Sequence, residues 1–261
     1  MSHRFVPARA RCATAVALLM MVGAGCSSDA TTATTTITTT PATTATPSTT
    51  TVTTVTTGTT VTAPDAAAPT TFTAEVWADN WFSLYVNGEL VGEDSVPITT
   101  ERSFNAETIS FTATYPLTIG LVSKDYRESD SGLEYIGTDR QQMGDGGVIA
   151  QITDTTTGAV IAATSSAWRG LVIHTAPTNT ECVTSAEPDT DCESIVVDEP
   201  AGWAAPGFDD SSWTQATVYT EDEVGVKEGY TEISWDPSAE LIWSASLKQD
   251  NTILWRTTVT G

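Results

Sequence analysis

Hydrophobic and polar residues alternate over residues 81–86, where Phe82, Leu84 and Val86 fall on one side of the chain. This two-residue period is typical of a β-strand with one buried face. Asn87-Gly88 follows directly, and the apolar run then resumes. Asn-Gly is the preferred filling of a two-residue type I′ turn, in which both central residues take positive φ. The pattern therefore predicts a β-hairpin around this turn.

Similar alternation predicts further short strands along the chain, and no segment shows sustained helical periodicity. These strands are expected at residues 72–76, 109–113, 117–121, 148–152, 159–163, 171–173, 216–219 and 253–259. Many short strands predict an all-β fold, an antiparallel β-sandwich, for residues 72–261. Three long polar segments separate the strands, and loops of such length usually bind something or lack order. They span residues 124–147, 175–202 and 221–239.

The first 25 residues have the composition of a secretory signal peptide. A basic segment precedes an uncharged run at 13–25 that is shorter than the roughly 20 residues needed to span a bilayer. The run ends in Gly23-Ala24-Gly25 before Cys26 and resembles the bacterial lipobox, which implies a lipidated Cys26 and anchoring at a membrane. Gly23 replaces the usual aliphatic residue of that motif, and an ordinary cleaved signal is the alternative. Either form predicts export from the cytoplasm.

Residues 26–71 are mostly Thr, with Ala, Pro and Val. The segment lacks the large apolar side chains that would offset the entropy lost on ordering. Its composition predicts a disordered stalk of the kind that carries O-linked glycans. Edge-to-edge β association is the alternative.

Charge and cysteine content narrow the function classes. Removal of the signal peptide leaves 8 basic and 33 acidic residues, a net charge of −25. Such a surface repels nucleic acid, which is therefore not an expected partner. With Cys12 in the signal peptide and Cys26 as the proposed lipid site, Cys182 and Cys192 are the remaining pair, and in an exported protein they are expected to form a disulfide.

Four parts of the chain form a recognisable series of elements: the hairpin at 81–88, the strand–turn–strand and Ser-x-x-Trp segment at 148–168, Phe208-Asp209-Asp210-Ser211-Ser212-Trp213, and the strands at 241–243 and 252–258. In this order they resemble the galactose-binding-like jelly rolls of family 2 glycoside hydrolases and rhamnosidase accessory modules. The resemblance implies a jelly-roll fold whose aromatic elements are structural, with Trp168, Trp213, Trp243 and Trp255 in the core. It also implies a carbohydrate-binding rather than catalytic role.

Catalytic signatures are sparse. His174 is the one histidine outside the signal peptide, and no Gly-x-Ser-x-Gly motif is present. Catalytic triads and two-histidine zinc sites are thus disfavoured. We therefore expect a protein that is not an enzyme, with glycoside hydrolysis by a carboxylate pair as a less favoured alternative.

Acidic residues recur at short intervals in two of the long segments, and Ca²⁺ prefers such clustered oxygen ligands. The sequence therefore nominates a structural Ca²⁺ site, while simple solvation of these carboxylates is the alternative. The candidate ligands are Glu128, Asp130 and Glu134 in the first segment and Glu187, Asp189, Asp191 and Glu193 in the second.

One stretch combines aromatic rings with planar polar groups, as a sugar-binding site requires. We expect a non-catalytic carbohydrate-binding domain on a surface lipoprotein, with a structural or adhesive surface protein as the alternative. The stretch could instead fold over the sandwich edge and cover core. The candidate ligand-binding residues are Tyr126, Arg127, Asp130, Tyr135, Asp139 and Arg140.

Overall fold

The computed structural model describes residues 68–99 and 104–261. The predicted signal peptide, Cys26 and most of the predicted stalk lie outside these residues. No helix in the described part of the chain is long and apolar enough to cross a membrane.

The chain folds into short antiparallel strands with a few single helical turns, which confirms the predicted all-β sandwich. The first strand begins at Thr70, two residues before the expected boundary. The strands are β1 (Thr70–Asp79), β2 (Trp81–Val86), β3 (Glu89–Glu93), β4 (Ala106–Ala113), β5 (Leu117–Lys124), β6 (Leu133–Glu134), β7 (Gln142–Met143), β8 (Gly147–Asp154), β9 (Val160–Ala163), β10 (Arg169–Thr175), β11 (Ile195–Val196), β12 (Thr214–Gln215), β13 (Thr217–Tyr219), β14 (Leu241–Trp243) and β15 (Asp250–Val259). The helical turns are α1 (Pro188–Asp191), α2 (Glu221–Val224) and two 3-10 turns, Thr180–Thr184 and Tyr230–Glu232.

Two sheets form the layers of the sandwich. The first has the order β13-β14-β8-β1-β4, with β9 paired to β8. The second has the order β11-β10-β15-β5-β2-β3, with β12 paired to β10. The arrangement is compatible with a jelly roll, and a separate two-stranded ribbon joins β6 to β7.

The predicted hairpin is present between β2 and β3. Val86 pairs with Glu89, so Asn87 and Gly88 form a two-residue turn, and both have positive φ, 53° and 89°. Asn87 Oδ1 also accepts a hydrogen bond from Thr118 N at 2.8 Å, which ties the turn to β5. The Asn-Gly turn predicted from the sequence is therefore also held in place by a hydrogen bond to a neighbouring strand.

The main core lies between the sheets. Inward residues of β1, β2, β5 and β15 are fully buried there, and the four tryptophans assigned to the core, Trp168, Trp213, Trp243 and Trp255, are at most 7% exposed. Trp213 packs in a smaller cluster on the outer face of the second sheet, with Trp203, Val122 and Leu254. Chain segments therefore cover part of the sheets' outer faces as well.

The segment at 221–239 covers the outer face of the first sheet. Trp77 of β1 is fully buried there against Val224 and Tyr230, and its indole NH donates to Phe104 O and Glu228 O. A segment that looked polar in sequence thus contributes a second hydrophobic layer.

Candidate functional site

An open groove of about 760 Å³ lies on the outer face of the second sheet. Strand alternation explains its floor: Phe82 and Leu84 point into the core, while Trp81, Ser83 and Tyr85 point outward. Neighbouring strands add outward residues in the same way. The residues that line the groove include Trp81, Ser83, Tyr85, Val122, Lys124 and Thr252 from the sheet and Asp125, Tyr126, Arg127, Glu128, Asp130, Val196, Val197 and Glu199 from the segments around it.

Trp81 and Lys124 are cross-strand partners on β2 and β5. The Lys124 ammonium lies over the Trp81 ring, 4.6 Å from its centroid. A cation over an indole face is a favourable contact of about 0.5–1 kcal/mol at an exposed site. Both side chains are half-buried, so the groove floor presents an aromatic surface and a positive charge next to each other.

The segment that follows β5 forms one side of the groove. Tyr126 N donates to Asn80 Oδ1 at 2.6 Å, which fixes the start of this segment to the β1–β2 connection. Arg127 forms an ion pair with Asp130 and also donates to Ser129 O. Burial, helped by nearby carboxylates, raises the pKa of Tyr126 above its usual value, so its hydroxyl stays protonated.

His174 lies at the end of β10 and is buried beneath this side of the groove. Its Nδ1 is 2.9 Å from Asn251 Oδ1, and its Nε2 is 3.9 Å from Asp130 Oδ1. Burial, followed by the charge of Arg127, lowers the pKa of His174. The histidine is therefore neutral at pH 7.

The six predicted ligand-binding residues do not form one site. Tyr126, Arg127 and Asp130 line the groove. Tyr135 and Arg140 line a separate cavity of about 240 Å³, and the Arg140 guanidinium stacks on the Tyr135 ring at 3.8 Å. Asp139 is exposed and lines neither cavity.

The predicted disulfide between Cys182 and Cys192 is present, with Cα atoms 5.3 Å apart. The acidic residues of this loop are exposed, and α1 turns the chain between them. On a helical turn, side chains two residues apart point in different directions, so acidic residues at every second position do not form one acidic face. These residues are Glu187, Asp189, Asp191 and Glu193.

The other three candidate metal ligands have separate partners. Glu128 accepts a hydrogen bond from Ile136 N, Asp130 pairs with Arg127, and Glu134 is buried and accepts from Gln142. A cavity of about 280 Å³ does bring Asp130 next to Asp189 of the disulfide loop. Ca²⁺ at either loop remains a prediction.

A carboxylate cluster that sequence reasoning missed lies behind the groove. One carboxylate oxygen from each of Asp79, Asp125 and Asp145 lies within 4.8 Å of the other two. In the described part of the chain, this is the group of three or more His, Cys, Asp or Glu side chains whose ligand atoms come this close. Asp79 ends β1, Asp125 follows β5, and Asp145 precedes β8. Each thus follows or precedes a hydrophobic strand, but their separation in sequence leaves no local motif.

Lys227 supplies a positive charge to this cluster. Its Nζ donates to Asp79 Oδ2 at 2.6 Å and to both oxygens of Asp145 at 3.2 and 3.3 Å. Desolvation works against the ammonium, but attraction to the two carboxylates outweighs it and raises the pKa of Lys227. Burial raises the pKa of Asp79 to about 7 and that of Asp125 well above its usual value, with repulsion between the carboxylates adding to the effect on Asp125.

Comparisons with protein-family models, curated proteins and solved structures returned no match for this chain.

Proposed function

We propose that this protein binds carbohydrate non-catalytically in the groove on its second sheet. The observation that carries the proposal is the half-buried Trp81 ring on the groove floor, with the Lys124 ammonium held over it. Pyranose rings pack their apolar face on aromatic side chains and present hydroxyls to planar polar groups. A groove of about 760 Å³ is large enough for a short oligosaccharide.

Polar groups near this aromatic surface support the same ligand class. Arg127, Asp130 and Glu199 all line the groove. Glu199 accepts a hydrogen bond from the Trp203 indole, so its carboxylate is held in place with oxygen lone pairs still available. Donors and acceptors along the same groove suit a ligand that is rich in hydroxyl groups.

The wider setting is part of the same proposal. A galactose-binding-like jelly roll on a lipoprotein, anchored to a membrane through Cys26 and carried away from it by a Thr-rich stalk, would present the groove to surface glycans. The antiparallel sandwich is compatible with a jelly-roll fold, and the galactose-binding-like family and the anchor rest on the sequence pattern alone.

The proposal is tested with the full chain and soluble galactan, mannan, arabinan and xylan, by affinity gel electrophoresis followed by calorimetry. Trp81→Ala should lower the affinity for the retained polysaccharide at least about tenfold, because the stacking surface is lost. Tyr135→Ala is the matched control, since Tyr135 is an aromatic residue of the neighbouring cavity and does not line the groove. Equal losses in both variants, or no retention by any of the polysaccharides, would refute the proposal.

A structural or adhesive role is the second candidate. β11 is an edge strand, and Ile195, Val196 and Val197 expose 56%, 62% and 42% of their surface beside the groove. Exposed aliphatic residues on an edge strand suit contact with another protein. Pretreating cell envelopes with protease should abolish binding of the chain if this candidate is correct, whereas periodate oxidation of glycans should abolish it if the groove binds carbohydrate.

A further inference from the structure

The carboxylate cluster behind the groove carries more negative charge than its surroundings neutralise. Glu134, which is 4% exposed, lies close enough to Asp79 and Asp125 to help raise their pKa values. Lys227 contacts Asp79 and Asp145, and among the described residues it is the cation that forms ion pairs with this cluster. Up to four carboxylates therefore face one ammonium group in a largely buried region.

Two oxygens in this cluster have no hydrogen-bond partner. They are Asp79 Oδ1 and Asp125 Oδ1, on side chains that are 0% and 2% exposed. A buried carboxylate oxygen without a donor is costly, because water no longer solvates it. The other oxygen of each group is occupied, by Lys227 in Asp79 and by the Asn251 amide in Asp125. The two free oxygens thus mark a place where a cation would be stabilising.

We propose that Asp79, Asp125 and Asp145 bind one Ca²⁺ ion, and that Lys227 is the counter-ion that this Ca²⁺ displaces. Ca²⁺ takes oxygen ligands at about 2.3–2.6 Å, so two oxygens on one ion lie at most about 5 Å apart. One oxygen of each of the three carboxylates lies within 4.8 Å of the other two, so a single Ca²⁺ could contact all three.

Access and the remaining ligands come from the neighbouring cavity. This cavity of about 240 Å³ is lined by Asn80, Glu134, Asp145 and Lys227, among others, and Asp145 is 42% exposed. A hydrated ion can enter from this side and keep water molecules as ligands, as Ca²⁺ sites commonly do. Lys227 is 29% exposed and ends a flexible side chain, so its ammonium can move into the cavity when the ion binds.

This site differs from the acidic loops nominated from the sequence. Glu187, Asp189, Asp191 and Glu193 are exposed, and exposed carboxylates are solvated without an ion. The inference does not depend on carbohydrate binding, because the cluster lies behind the groove and shares only Asp125 with its lining.

The test combines equilibrium dialysis of radioactive Ca²⁺ with thermal melting of the full chain after chelator treatment. The wild type should bind one ion tightly, and its melting temperature should rise by about 5 to 10 °C at 100 times the dissociation constant. Asp125→Asn should abolish both effects. Asp145→Asn, at a partly exposed position that tolerates change, should weaken binding at least about tenfold.

Two further variants separate this site from the alternatives. Lys227→Met should melt lower than the wild type without Ca²⁺, because it leaves Asp79 unpaired, and should recover when Ca²⁺ is added. The matched control Asp189→Asn/Asp191→Asn should bind Ca²⁺ like the wild type. The proposal is overturned if the wild type binds no ion at 5 mM Ca²⁺, or if the control loses the ion while Asp125→Asn and Asp145→Asn retain it.

Discussion

Asp94 is a buried carboxylate whose environment disfavours its charge. It follows β3, is 5% exposed, and has one oxygen without a hydrogen-bond partner. Burial raises its pKa from 3.8 to about 6, with Glu107 adding repulsion and the hydrogen bond from Val96 N opposing the shift. A raised carboxyl pKa contributes stability that is present below about pH 4 and is lost as the pH rises to about 6.

We therefore expect Asp94→Asn to be as stable as the wild type at pH 4 and more stable by about 1–2 kcal/mol at pH 7.5. Urea unfolding at pH values from 4 to 7.5 measures the difference. Asp209→Asn is the control: hydrogen bonds from Ser211 lower the pKa of the exposed Asp209, so this substitution should give no gain at neutral pH. A constant difference between Asp94→Asn and the wild type across the pH range would contradict the expectation.

At the scale of elements, Arg256 joins β15 to the segment that covers the second sheet. The side chain is 3% exposed, its Nε donates to Asp210 Oδ2 at 2.9 Å, and its Nη1 donates to Trp203 O and to Ala205 O. One buried guanidinium therefore holds both the Asp-Asp turn and the chain around Trp203 against the sheet.

Arg256→Met should lower the free energy of unfolding by about 3 kcal/mol, since it leaves Asp210 and two carbonyl groups without their donor. Arg169→Met is a matched control, because Arg169 Nε lies 3.9 Å from the same Asp210 but its side chain is 41% exposed. That control should lose less than about 1 kcal/mol. Chemical denaturation of the two variants gives the comparison, and equal losses would show that burial of Arg256 contributes nothing.

The elements also show which features a sequence pattern can predict. The β2–β3 hairpin followed from alternation and turn chemistry, because those signals are local, whereas the burial of the four tryptophans was an implication of the family resemblance. Residues 76–79 break the alternation, and the structure buries both faces of β1 there because the segment at 221–239 packs on the outer face. Burial of this second face depends on tertiary packing, which the local pattern of β1 does not encode.

The candidate sites divide in the same way. Tyr126, Arg127 and Asp130 are near in sequence and line one groove, whereas the groove floor residue Trp81 comes from another strand. Asp79 and Asp125 meet because the ends of β1 and β5 come together, and no spacing in the sequence encodes that proximity. Acidic residues at the ends of hydrophobic strands were the available signal.

At the scale of the whole molecule, the main feature is the large excess of acidic over basic residues. The full chain carries a net charge of −22 at pH 7, and repulsion among like charges opposes the compact state. Raising NaCl from 10 to 300 mM should therefore increase the melting temperature by a few degrees, about what 1 kcal/mol gives for a domain of this size. Choline chloride at the same ionic strength should act equally, since screening does not depend on the ion; a falling melting temperature would contradict this account.

The position of β15 has a consequence for biosynthesis. It is the last strand in the sequence, yet it lies inside the second sheet and pairs with β10 on one side and β5 on the other. A nascent chain that has already made the other strands thus carries two unfinished strand edges, which could join those of a neighbouring polypeptide. Insertion of β15 closes both edges at once, so a chain cut before Asp250 should give an aggregating product rather than a slightly weaker domain.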